Sequence, residues 1–256
     1  MIEVPLEKVI LAFLAISVRI TGLMLFAPLF GSVSVPPQLK AAFVIVFSIL
    51  LYPVLSPGLA LLRLNRWPEM VFGELLIGAV LGIVTNLVFD AAQMAGQVLS
   101  MQMGLSQASL FDPMTQADST VLAVFHQTIA MLIFLSLDVH LWLLHAIGES
   151  FFALPPGSMH ISEVFTLGIL RMGGQVFVLG LQMAAPIFCA TLLADVVLGL
   201  LGRASPHMPL MMLGPALKTL LGLGVLFAAL KYWPSLLDGF FLESLRASDR
   251  MLELAR

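Results

Sequence analysis

Ionisable side chains stand inside apolar runs of this chain, among them Arg19, Glu74, Asp90, Asp138, Arg171, Asp195 and Lys218, with His126, His140 and His145 together on the fourth run. Groups of this kind can relay protons, and Glu74, Asp90 and Asp138 would form the relay of a small proton-coupled secondary transporter. A relay needs acid and base to face one another, which spacing alone does not show. The histidines make a poor metal site, because His140 and His145 are five residues apart and do not share a helix face. The sequence has no nucleophile elbow, no Gly-rich phosphate loop and no paired-carboxylate motif. A lipid-active membrane enzyme therefore lacks a catalytic constellation, and no catalytic residue, metal ligand, cofactor or cofactor-binding residue is expected. Each ionisable group at membrane depth costs about 2.5–3.5 kcal/mol on insertion scales. The charges are expected to line a polar path or to pair with neighbouring subunits.

A second constellation carries packing chemistry. Asn86, Asp90, Gln93 and Gln97 are spaced four, three and four apart and fall on one helix face. Beside them Ala92, Gly96, Ser100 and Gly104 recur every fourth residue, a small row that admits another helix closely, and Gly78 and Gly82 add a GxxxG earlier. Packing between helices or subunits, or close packing within the chain, would use such faces. The run from 164 repeats the theme with Arg171, Gln175 and Gln182, then Asp195. Met94, Met101 and Met103 flank the end of the polar helix, and Met208, Met211 and Met212 follow Arg203; flexible thioethers can re-pack around an irregular object or simply fill a core.

The elements that must position these groups follow from composition. Of 256 residues, 60% are hydrophobic and 11% charged, with a mean hydropathy of +1.04, which no soluble surface could absorb. An all-α membrane protein is expected. Apolar runs near 9–30, 39–55, 70–100, 120–147, 164–200 and 210–232 give about six long, kinked helical segments. Breaks fall at Gly31 to Pro37, Ser56 to Pro68, residues 101–118, Leu154-Pro-Pro-Gly157 and Gly202-Arg-Ala-Ser-Pro206, and Pro186 sits inside the longest run. The acidic N-terminus lacks a cleavage signature, so the first span is expected to be retained. Lys8, Arg63, Arg66, Lys231, Arg246, Arg250 and Arg256 outnumber Lys40 and Arg203 on the other side, which predicts a cytoplasmic C-terminus. Residues 234–256 read either as an amphipathic helix at the interface or on a partner, or as a solvated tail. The net charge of -3 carries no nucleic-acid footprint, and the single Cys189 excludes a disulfide within the chain.

Gly104 should end the polar helix, Ser106 to Ser109 is small and polar, Phe111-Asp112-Pro113 makes a turn, and Asp118-Ser-Thr120 carries start signals for the next helix. Irregular backbone at membrane depth survives only where it is buried in protein or lines a water-filled cavity, so the 104–118 hairpin is a candidate gate.

At these residues the chain resembles the FliR family of flagellar biosynthetic proteins in the type III export gate, whose injectisome relative is the SctT family. Gln102-Met-Gly-Leu-Ser106 followed by Phe111-Asp112-Pro113 is similar to that family's central segment, and Asn86 to Gly104 to the helix leading into it. Leu201-Gly-Arg-Ala-Ser-Pro206 with Gly214 and Lys218 is similar to its loop between the last two hydrophobic segments, although His207-Met-Pro209 and Gly214-Pro-Ala-Leu-Lys218 depart from the family pattern. The resemblance covers the whole chain.

It implies a FliP-like helical part over 1–160 that includes the plug loop 104–118. A FliQ-like helical hairpin over 161–235 would follow, with its loop at Gly202, Arg203, Pro206, Gly214 and Lys218, and then an amphipathic tail over 236–256. The implied function is a non-enzymatic core subunit of the export gate in the bacterial inner membrane, within the flagellar basal body. FliP-like and FliQ-like subunits would be its partners, with FlhB-like and FlhA-like export components, membrane lipid around it and unfolded flagellar proteins as cargo. Gly104, Leu105, Ser106, Leu110, Phe111, Asp112 and Pro113 would form the plug, with Phe111 as stopper. Asn86, Asp90, Gln93, Gln97, Ala92, Gly96 and Ser100 would seat the helix among partners.

Overall fold

Hydrocarbon offers no partner for a backbone N–H or C=O, and the apolar runs satisfy their own as helices. The computed structural model describes residues 6–32, 35–55, 67–105, 120–159, 162–205 and 210–254, and every regular element among them is helical. In chain order these are α1 (Leu6–Phe26), α2 (Pro37–Leu55), α3 (Trp67–Gln102), α4 (Val121–Ser136), α5 (Val139–Ala153), α6 (Glu163–Ala204), α7 (Leu210–Ala229), a 3-10 turn (Leu230–Tyr232) and α8 (Trp233–Leu254). Among the described residues five helical stretches are long and apolar enough to cross a membrane, and six if the bent pair α4 and α5 counts as one span. The chain is an all-α membrane protein. At ~1.5 Å per residue the 42 residues of α6 extend about 63 Å, twice a hydrocarbon core of roughly 30 Å.

Local chemistry sets the helix boundaries. Pro37 opens α2, where its fixed φ suits the first turn and its missing N–H is not needed. Ser162 caps α6, its Oγ accepting the Phe165 N–H at 3.1 Å, with Glu163 in the first turn favoured by the helix dipole. The expected single run 120–147 is in fact two helices. Asp138 takes a left-handed conformation at φ 54° and breaks the run between Ser136 and Val139; aspartate tolerates that geometry better than most residues, so neither Gly nor Pro was required. α6 also runs further than expected, through Gly202 and Arg203 to Ala204, and Pro206 disfavours helix at the residue before it.

The described residues fall into two compact units. One draws on Met1–Leu87, Phe134–Gly173 and Phe241–Arg256, the other on Val88–Ile133 and Gly174–Phe240. These units interleave in sequence and are a grouping by contact, whereas the division at 160 expected from the resemblance is a sequential one. In the first unit Ala12, Ile16, Ile20, Leu23 and Ala27 form one face of α1, which packs with Leu81 and Val84 of α3 and Leu143 and Ile147 of α5. The α1–α3 crossing depends on glycine. A Cβ at Gly78 would strike the Arg19 carbonyl oxygen, and one at Gly82 would lie 2.8 Å from the Ala27 nitrogen. α8 buries Phe241, Ser244 and Ser248, with the Phe241 ring 5.6 Å from that of Phe134 and Ala247 against the core. Residues 241–248 therefore cover their apolar face on this chain.

Candidate functional site

The second unit contains the C-terminal half of α3, which carries most of the two rows seen in the sequence. Ala92, Gly96 and Ser100 are buried, and Gly96 is the contact point: a Cβ there would lie 2.5 Å from the Ala123 Cα of α4. The Ser100 hydroxyl donates to Thr120 Oγ1 at 2.8 Å, and that same oxygen accepts the Ala123 N–H at 3.3 Å, so Thr120 is the N-cap of α4. The small row thus seats α4 within the chain. Gln93 and Gln97 are half-buried and Asp90 is exposed, while Asn86, also half-buried, belongs to the first unit. α6 approaches α3 at Gly180, whose Cβ would lie 3.0 Å from the Ala91 carbonyl oxygen.

α3 ends as a Schellman motif. The Leu105 N–H bonds to the Ser100 carbonyl at 3.0 Å and the Gly104 N–H to the Met101 carbonyl at 3.1 Å, with Gly104 at φ +78°. The left-handed residue is the glycine that the sequence marked as the helix end. Gly104 is half-buried against Pro215 of α7, and Leu105 is exposed. Ser106, Leu110, Phe111, Asp112 and Pro113 lie outside the described residues, as does Pro206.

Thr219 of α7 and Asp195 of α6 hold two consecutive residues at this helix end. The Thr219 hydroxyl reaches the Met103 carbonyl at 2.9 Å. Lys218 Nζ lies 2.9 Å from Asp195 Oδ1 of α6, and the other oxygen of that carboxylate accepts Gln102 Nε2–H at 3.2 Å. The Met103 side chain is fully buried against Gly222, where a Cβ would come within 2.7 Å of its Cε. Gly214 is buried and Lys218 half-buried on α7, while Gly202 is half-buried and Arg203 exposed at the end of α6.

In the first unit a second polar cluster is closed to solvent. Arg19 Nε–H donates to Glu74 Oε2 at 2.6 Å, Nη1 to Ser150 Oγ at 3.0 Å and Nη2 to the Leu154 carbonyl at 2.9 Å. The Gly157 N–H donates to Glu74 Oε1 at 3.2 Å, and the guanidinium carbon lies 3.9 Å from the Phe151 ring centre. Arg19 and Glu74 thus meet each other sealed from solvent, and Asp195 and Lys218 meet each other part-exposed, so each of these four charges has a counter-charge inside the chain.

Asp90, Asp138 and Arg171 are exposed, so the proposed relay has one member, Glu74, committed to Arg19 and two at the surface. His126 is buried, its Nδ1 2.7 Å from the Leu122 carbonyl and its ring 4.6 Å from that of Trp233. His145 is exposed, 3.9 Å from Glu149. Among the described residues no group of three His, Cys, Asp or Glu could hold a metal ion. Sequence reasoning missed Thr219, Gly222 and Ser150. Thr219 and Ser150 bond to residues 116 and 131 positions away, and neither lies in a motif.

Comparison with known proteins places the chain in a family. The family model described as bacterial export proteins, family 1, matches residues 10–244. The chain is 30% identical to the flagellar biosynthetic protein FliR of Pectobacterium carotovorum subsp. carotovorum over 226 residues, covering 88% of this chain and 87% of that protein. It is 29% identical to the FliR of Escherichia coli strain K12 over 214 residues, 82% and 80% of the two chains. It is 30% identical to the FliR of Bacillus subtilis strain 168 over 210 residues, 81% of each.

Proposed function

The chain belongs to the bacterial export proteins, family 1, and on that premise we propose that it is a non-enzymatic core subunit of the type III protein export gate. It joins FliP-like and FliQ-like subunits in the bacterial inner membrane to form the channel for unfolded flagellar proteins, with its C-terminus in the cytoplasm. FlhB-like and FlhA-like components adjoin it. The segment after Gly104 helps to plug the channel at rest. Residues 1–160 act as its FliP-like part and 161–235 as its FliQ-like hairpin.

The observation that carries this reading is the family match from residue 10 to 244, spanning both halves of the chain and the helix end at Gly104. The Schellman turn supports the plug: it stops α3 abruptly and hands the chain to the segment containing Phe111. The transporter reading loses support, since Glu74 is held by Arg19.

Co-purification in mild detergent with FliP-like and FliQ-like chains tests the assembly. Deletion of residues 106–116 tests the plug: assembly should persist while the membrane becomes permeable to small solutes. Normal assembly with unchanged permeability would overturn the plug.

A further inference from the structure

The two polar clusters differ in kind. Around Arg19 every charged side chain is sealed from water, and releasing it would leave buried charges unpaired. At the end of α3 the Asp195 side chain is 44% exposed and that of Lys218 19% exposed, so water can replace their contact. Thr219 has a similar way out. Its single hydroxyl proton has two acceptors at 2.9 Å, the Met103 carbonyl of α3 and the Pro215 carbonyl one turn back on its own helix. If α3 withdraws, the proton turns to Pro215, so the hydroxyl keeps a partner and only the bond to Met103 is given up. What the hydroxyl satisfies at Met103 is a last-turn carbonyl that the helix itself leaves without a partner. Below it, Met103 rests on Gly222 through a flexible thioether that can slide without breaking a rigid fit.

We propose that Asp195, Lys218 and Thr219 form a releasable clasp that positions the Gln102–Gly104 end of α3 on the α6–α7 hairpin. Resting on the reading of the following segment as a plug, the clasp keeps that segment in place while the gate is at rest. Movement of the hairpin frees it. Thr219 and Lys218 are positioning residues: Thr219 acts on the gate only through Met103, and Lys218 only through Asp195, whose carboxylate holds Gln102.

The experiment uses the full chain with its FliP-like and FliQ-like partners, with Cys189→Ser and Met103→Cys as the background. Met103 is sealed when the clasp is closed, so labelling of the new thiol by a maleimide reports release, and entry of propidium into cells reports the resting gate. Thr219→Val and Lys218→Met should each raise labelling about fivefold, the factor by which losing one hydrogen bond moves a two-state equilibrium. Thr219→Ser should stay at the background rate, and Asp195→Lys should regain it when combined with Lys218→Asp. Assembled variants with unchanged labelling overturn the clasp, and so does loss of assembly in both Thr219→Val and Lys218→Met, because a releasable contact is not needed to build the fold. Labelling that rises without propidium entry, while the 106–116 deletion admits it, overturns the clasp's control of the gate and leaves the plug standing. Labelling that rises while the deletion itself stays tight supports the clasp and removes the plug.

Discussion

Arg19 Nε lies 2.6 Å from Glu74 Oε2 with neither side chain reaching solvent, and this pair ties α1 to α3 at the place where Gly78 lets their backbones meet. The guanidinium uses its remaining donors on Ser150 and on the carbonyl of Leu154, and Glu74 uses its second oxygen on Gly157. Two charges thus fasten α1, α3, the end of α5 and the Leu154-Pro-Pro-Gly157 turn.

Removing one member should be worse than removing both. Glu74→Leu alone leaves a buried guanidinium without its counter-charge, and the expected loss is about 3–5 kcal/mol. Arg19→Met with Glu74→Leu should recover most of that loss, since an apolar pair of similar volume carries no desolvation penalty. Thermal unfolding of the purified protein in detergent checks the order, and a double variant less stable than either single one would contradict it.

The glycines of the α3 crossings give a graded test. At Gly78 an added methyl meets the backbone of Arg19, and at Gly96 that of Ala123, neither of which can step aside. Gly78→Ala and Gly96→Ala are each expected to cost about 1–3 kcal/mol by overpacking. Gly148, with nothing within 4 Å of its virtual Cβ, serves as the control. Gly148→Ala should be neutral or stabilising by about 0.5–1 kcal/mol, because alanine loses less backbone freedom in a helix. Equal effects at all three positions would show that helix propensity, not contact, governs them.

What could be read in the sequence was local. Gly104 ends α3 because the left-handed turn there favours glycine, and Thr120 caps α4 because a hydroxyl at that position can meet a first-turn N–H; both signals sit in the residues themselves. The charged groups were visible as anomalies but not as pairs, because Arg19 and Glu74 are 55 positions apart and only tertiary packing joins them. The break at Asp138 was hidden in the same way: the run around it is apolar, and aspartate is only one of several residues that tolerate a positive φ. The small row was legible as a close-packing face, yet its occupant, Ala123 of α4, could not be named from periodicity.

The cap at Thr120 predicts a local effect with a defined origin. Its Oγ1 is shared between the Ser100 hydroxyl and the Ala123 N–H, so Thr120→Val removes a helix cap and strands a buried serine at once. The expected loss is about 1–2 kcal/mol. Thr120→Ser should keep nearly all of the stability, and amide exchange at Ala123 should quicken only in the valine variant. Unchanged exchange there would mean that the cap is not formed in the membrane.

The end of the chain offers the last test, because α8 could have been a free amphipathic tail and instead has a buried row. Trp233, Leu237, Phe241, Ser244 and Ser248 follow at steps of four, four, three and four, all of them buried. Phe241 is the one aromatic among the α8 residues of this row in its unit, and its ring is fully enclosed beside Phe134. Phe241→Ala should therefore destabilise the protein by about 3–5 kcal/mol, as truncation of an enclosed aromatic ring does. Arg246→Ala, on the exposed face of the same helix, should change stability by no more than about 0.5 kcal/mol. Both are read from the midpoint of thermal unfolding in detergent with the full chain. If Phe241→Ala unfolds at the wild-type temperature, α8 is not seated on this chain in the native protein, and its apolar row would have to be covered by a partner or by lipid.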